Sequence, residues 1–146
     1  MTSTTAQDRL DEIEALLDDL IADNAEWPVL VEGEKDVASL RALGLEGEIL
    51  RIKGATTVWV ACEAIARRHR KVILMVDWDR GGGHLARLVL DALEANGVRC
   101  DPDYRRALAR ASKKEIVHVE GLATYMDNLR RAARREHEPS AGPPPS

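Results

Sequence analysis

Short apolar runs alternate along this chain with stretches of helical period, and that alternation predicts its elements. From Gln7 to Asn24 the residues Leu10, Ile13, Leu16, Leu17, Leu20 and Ile21 recur at helical spacing, while Asp11, Glu12, Glu14, Asp18 and Asp19 mostly occupy the other face. This is an amphipathic helix that must dock on something. Trp27-Pro28 ends it, because proline disfavours helical backbone in the residue before it.

Beyond the break, Val29 to Val31 reads as a buried strand, Glu34 to Leu43 as a helix closed by Gly44, and Glu48 to Ile52 as a second strand. A helix is predicted over 56–69, its start blurred by the β-prone Thr57-Val58-Trp59-Val60. Lys71 to Val76 is the strongest strand. A helix from His84 to Asn96, ended by Gly97, and a fourth strand from Val98 to Cys100 follow. Helices are predicted over 103–111 and 122–135 with a brief strand at 116–119 between them, and the proline-rich HEPSAGPPPS end should be disordered. Strands alternating with helices describe βαβ units. The expected fold is therefore α/β, with about four parallel strands, right-handed crossovers and helices on both faces. The expected organisation is an acidic amphipathic helix over 1–26, an α/β core over 27–101, a basic helical extension over 102–136 and a tail over 137–146.

At 146 residues, 45% hydrophobic and 32% charged, the chain fits one packed domain with short extensions. No window approaches 18 uninterrupted apolar residues and the start is small and polar, so neither membrane insertion nor export is expected. Cys62 and Cys100 stand without a Cys-x-x-Cys pair, which points to a reducing cytoplasm and away from a zinc knuckle. Net charge is −4, yet it is unevenly spread. Residues 1–26 hold eight acids and one base, the other 120 residues hold 17 acids and 20 bases, and 99–135 alone holds ten bases against five acids. A mildly basic body behind an acidic leader fits a polyanion partner and fits a solvated surface about equally well.

In a parallel sheet the ligand site lies at the carboxyl ends of the strands. Two predicted strands end there in carboxylates. Glu32 follows the first, with Gly33 free to turn sharply; Asp77 and Asp79 follow the third, on the same side if the chain is still extended. Two carboxylates so placed form a hard-oxygen cluster suited to Mg²⁺, with Mn²⁺ as an alternative, and Glu32 could share the metal or move a proton. The competing reading makes the aspartates turn formers or helix caps and Gly81-Gly82-Gly83 an ordinary turn.

Glu32-Gly33-Glu34-Lys35-Asp36 after an apolar strand, then Asp77-Trp78-Asp79-Arg80-Gly81 after another about 45 residues later, resembles the Toprim domain over about 27–101. The domain occurs in bacterial-type primases, topoisomerases, nucleases, ribosomal RNA maturases and recombination mediators. The length, acidic leading helix and Asp77-Trp78-Asp79-Arg80 look closest to small stand-alone archaeal members described as primase-like. The resemblance implies that Asp77 and Asp79 bind Mg²⁺, that Glu32 is a metal ligand or general acid/base, and that the partner is nucleic acid. Departures matter too. No cleavage domain supplies a nucleophilic tyrosine, since Tyr104 and Tyr125 lie in the terminal helical part, and no cysteine-rich module precedes the domain; topoisomerase activity and self-sufficient priming are not expected.

Other chemistries weaken on inspection. An aspartate-nucleophile phosphatase wants Thr or Val where Gly81 stands, and neither a Walker loop nor a Gly-x-Gly-x-x-Gly turn is present. His69, His84, His118 and His137 look like scattered surface residues, and Glu120, in a second Val-Glu-Gly, looks like a helix-start acid before it looks like a ligand. Arg67, Arg68, Arg70 and Lys71 fall on the amino-end side of the sheet. Phosphate contacts are expected from Arg80 and Lys35 near the carboxylates and from Arg130, Arg131 and Arg134 further away. The chemistry expected is metal-assisted phosphoryl transfer on RNA or DNA, hydrolysis before nucleotidyl transfer, the alternative being a non-catalytic scaffold in a larger processing complex. The leading helix should pack on the domain or on a second copy.

Overall fold

The computed structural model describes residues 5–138; of the disordered tail expected over 137–146, residues 139–146 lie outside the described residues. The elements are α1 (Ala6–Asn24), β1 (Val29–Val31), α2 (Glu34–Ala42), β2 (Ile49–Arg51), α3 (Val58–Arg68), β3 (Lys71–Leu74), α4 (Arg80–Ala95), β4 (Arg99–Asp101), α5 (Asp103–Ala111) and α6 (Leu122–His137), with a 3₁₀ turn at Val119–Gly121 before α6. The strands pair in parallel in the order β2-β1-β3-β4.

Side-chain alternation divides the interior into two layers. Val29, Val31, Ile73 and Met75 face one side, where they are covered by α1, α2, α5 and α6; Leu30, Val72, Leu74 and Val76 face the other, beneath α3 and α4. The apolar stripe of α1 is buried against its own chain. Ile13 and Leu20 are wholly inaccessible and Leu10 and Leu17 nearly so, with α6 and α5 as neighbours. A helix with that stripe is unstable alone, and the sheet face supplies the burial it lacks.

Both ends of α1 are tied by polar contacts. At its start Thr5 and Asp8 form a capping box, and the carboxylate of Glu136 on α6 accepts from the Ala6 and Gln7 N–H groups at 2.9 and 3.0 Å. At its end the buried Asn24 donates to the Trp27 and Glu48 carbonyls and accepts from Gly47 N–H. Gly47 lies so close that a Cβ there would meet the Asn24 carbonyl oxygen at 1.9 Å.

Three local expectations need correction. Helix α4 begins at Arg80, not His84: Asp79 is its N-cap, accepting from Gly82 N–H at 2.7 Å, so the three glycines form its first turn instead of a loop. The third strand stops at Leu74; Met75 and Val76 are buried but lie past the ladder. Residues 116–119 form no strand. They run alongside the loop after β3, where the Ile116 and Val117 carbonyls accept from Trp78 Nε1–H and N–H, because the left-handed backbone at Lys113 and Lys114 turns the chain sharply just before.

Candidate metal centre and cleft

The strand order fixes where a site can form. From β1 the chain steps outward to β2, then returns across to β3 and on to β4, so the crevice between the carboxyl ends of β1 and β3 is the topological switch point. Glu32 leaves β1 and Asp77 follows β3 at that crevice. A cleft of about 730 Å³ opens there, lined among others by Glu32, Lys35, Lys53, Asp77, His118 and Glu120.

Asp77 is held from three directions. One carboxylate oxygen accepts from Val119 N–H at 2.8 Å, the other lies 3.1 Å from His118 Nδ1, and its carbonyl accepts from Arg105 Nη2–H at 2.8 Å, while Arg105 Nε–H also reaches the Val76 carbonyl at 3.0 Å. Burial pulls the Arg105 guanidinium below its usual range. Gly82 contributes by having no side chain, since a Cβ would meet the Asp77 carbonyl oxygen at 2.0 Å. The first turn of α4 therefore presses on the backbone that aims Asp77.

Asp79 does two jobs at once. One oxygen caps α4, and the other lies 3.5 Å from His118 Nδ1. Among the described residues, Asp77, Asp79 and His118 each bring a ligand atom within 4.8 Å of the other two. The hydrogen bond to Asp77, and then the charges of Asp77 and Asp79, raise the His118 pKa above its ordinary value. Two carboxylates and an imidazole fit a divalent ion, and the imidazole suits Mn²⁺ at least as well as Mg²⁺.

The structure thus differs from the expectation of three carboxylates converging with no nitrogen ligand nearby. Glu32 faces the cleft but is not in the compact trio, whereas His118 is. Nothing in the sequence spacing links His118 to Asp77, since it stands 41 positions further on and comes there only through the path of α5. Glu120 lies in the 3₁₀ turn that opens α6, as its helix-start reading has it, yet it also lines the cleft. A further acid is the buried Asp36, which accepts from Gly33 N–H at 3.0 Å; burial above all, with Asp77 and Glu120 adding repulsion, raises its pKa.

The basic candidates separate. Lys35 lines the cleft, and Arg80 is exposed at the first position of α4 outside the cleft wall. Arg130 instead pairs with Glu14 of α1 at 3.3 Å and with Asp127 at 3.2 Å, Arg131 reaches Asn128, and Arg134 lines a separate groove between α1 and α6. The acidic leader thus takes up part of the terminal positive charge.

A family model described as the Toprim domain matches residues 27–110. Among curated proteins, a UPF0292 protein from Methanosarcina barkeri is 36% identical over 123 residues, 84% of this chain and 85% of that protein. Another from Methanocaldococcus jannaschii is 30% identical over 112 residues, 77% of this chain and 88% of the relative. Among solved structures, a protein from Aquifex aeolicus superposes with a TM-score of 0.63 at 24% identity, covering 73% of this chain and 94% of that one, a likeness of fold.

Proposed function

Because the chain belongs to the Toprim domain family, and within it to the small archaeal UPF0292 proteins, we propose that it hydrolyses nucleic-acid phosphodiesters with Mg²⁺ or Mn²⁺. Toprim domains are associated with metal-dependent nucleic-acid processing in general. The observation that carries the finer reading is the meeting of Asp77, Asp79 and His118 at the switch-point crevice, with Glu32 on the wall of the same cleft.

Asp77 and Asp79, with His118, would hold the ion, which when bound supplies positive charge to the phosphate oxygens. Lys35 and Lys53 add fixed charge to the cleft, and neither is engaged in an ion pair among the described residues. Glu32 takes the proton of the attacking water as the new phosphorus–oxygen bond forms and the bond to the departing sugar oxygen breaks. That oxygen leaves protonated from solvent. Arg105 acts through Asp77, fixing its backbone so that the carboxylate needs no rearrangement to bind. We assign the protein to the cytoplasm, in keeping with two free thiols.

The test is incubation of the purified protein with end-labelled RNA and DNA, with Mg²⁺, Mn²⁺ or chelator. Cleavage that needs metal and is lost in Asp77→Asn is expected. Lengthening of the label in the presence of nucleotides would mean transfer to a hydroxyl in place of water. Binding without any change in the label, by wild type and variant alike, would make the protein a scaffold and overturn the reading.

A further inference from the structure

Helix α3 starts at the same carboxyl edge of the sheet as the cleft, because it follows β2 in a parallel array. Its buried stripe is Ala61, Cys62 and Ile65, with Val58 packed beside them at helical spacing. Trp59 falls off that stripe. It is 49% exposed, joins neither buried cluster, and is followed by Val60 at 46%. The chain's other tryptophans are engaged: Trp27 packs on the core under Lys71, and Trp78 donates its ring N–H to Ile116.

A half-exposed indole outside both clusters contributes little to the fold, and exposed cations stand at the same edge of the sheet, interspersed with the acids of the cleft. Lys53 and Gly54 line the cleft, and Trp59 is only five positions beyond Gly54, a reach of at most about 17 Å. Lys35, Lys53 and Arg80, all at this edge, are exposed and have no ion-pair partner among the described residues. A flat aromatic face beside unpaired cations is the pairing that takes a single-stranded nucleic acid, whose bases stack while its phosphates meet the charges. A duplex hides its base faces and cannot use the ring in this way.

We propose that Trp59 is a stacking platform for an unpaired base, so that the substrate is a single strand whose backbone runs from Trp59 past Lys53 to the metal centre. The inference rests on the phosphodiester reading and adds the class of strand to it. Stacking is indifferent to salt, whereas each phosphate contact carries a counterion-release slope.

Anisotropy with labelled oligonucleotides of equal length, one of natural bases and one wholly abasic, and with the matching duplex, tests this on the full chain in Ca²⁺ to hold turnover back. Wild type should bind the natural strand about 5- to 100-fold more tightly than the abasic strand or the duplex. Trp59→Ala should lose that preference at every salt concentration with its slope unchanged, Trp59→Phe should keep most of it, and Lys53→Ala should flatten the slope. Because Trp59 lies outside both buried clusters, the variant's melting temperature should match wild type and a folding defect is separable. Equal binding by Trp59→Ala and wild type, or no preference for bases, overturns the platform while leaving the phosphodiester reading intact. No binding of any strand by wild type overturns both. A wild-type dimer in sedimentation that Trp59→Ala turns into a monomer would give the face to self-association and likewise overturn the proposal.

Discussion

The double duty of Asp79 makes its capping and ligand roles separable by substitution. Asparagine caps a helix as well as aspartate does, so Asp79→Asn keeps the bond to Gly82 N–H while removing the anionic oxygen beside His118. Asp79→Ala removes both. Loss of an N-cap costs about 1 kcal/mol. With an unfolding entropy of about 2.1 cal/mol/K per residue, a chain of 146 residues changes stability by about 0.3 kcal/mol per degree near its Tm, so the lost cap lowers Tm by about 3 °C. Metal acts through mass action. An ion at 100 times its Kd stabilises the folded state by about 2.7 kcal/mol, or about 9 °C here. Differential scanning calorimetry in chelator and then in Mn²⁺ should therefore separate three patterns. Wild type shifts upward by about 9 °C; Asp79→Asn starts within about 1 °C of wild type and barely shifts; Asp79→Ala starts about 3 °C lower and barely shifts. Retention of the full metal shift by Asp79→Asn would refute the ligand role, and a wild-type Tm for Asp79→Ala in chelator would refute the capping argument.

Further outcomes follow from neighbouring contacts. Gly82→Ala should displace Asp77 and destabilise by about 2 kcal/mol or more while weakening metal binding, whereas Gly83→Ala, where a Cβ meets nothing within 4 Å, should stabilise by about 0.5–1 kcal/mol; paired thermal melts check both. Arg105→Ala should lower metal affinity in calorimetric titration with Asp77 and Asp79 still present, since it loosens the backbone that carries one of them. Asn24→Ala should cost about 2 kcal/mol or more in denaturant unfolding, because it takes the side-chain partner from the Gly47 N–H and the Trp27 carbonyl and leaves the Glu48 carbonyl with Val29 N–H alone. Burial, chiefly, raises the Cys100 thiol pKa to about 12 from 9.0. The unfolded thiol then releases its proton before the folded one does, so Cys100 contributes full stability below pH 9 and loses it as pH rises towards 12. The alkaline fall in Tm should lessen in Cys100→Ala, and an unchanged slope would refute the assignment.

The parts of this molecule that were legible in the sequence are those with local causes. The stripe from Leu10 to Leu20, the run Lys71 to Leu74 and the breaks at Pro28 and Gly44 each report burial or backbone preference within a few residues. The placement of Glu32, Asp77 and Asp79 at one edge of the sheet was legible because parallel topology turns strand ends into neighbours. Where several local signals conflicted, the pattern misled. Gly81-Gly82-Gly83 has poor helix propensity, but the cap at Asp79 and the close approach to Asp77 favour a glycine helix there over a loop. His118 was not legible at all, because its position depends on how α5 and the turn at Lys113 and Lys114 return the chain to the crevice.

The pairing of α1 with α6 also has a consequence in time. The apolar stripe of α1 leaves the ribosome ahead of α6, which covers much of it and begins at Leu122, about 100 residues later. At about 5–20 residues per second that is an interval of about 5–20 s. During it Leu10, Ile13, Leu17 and Leu20 lack their full cover, since β1 and α2 are made early but α5 and α6 come last. The acids on the opposite face of α1 are then its main protection, keeping the nascent helix soluble by mutual repulsion until its partner arrives.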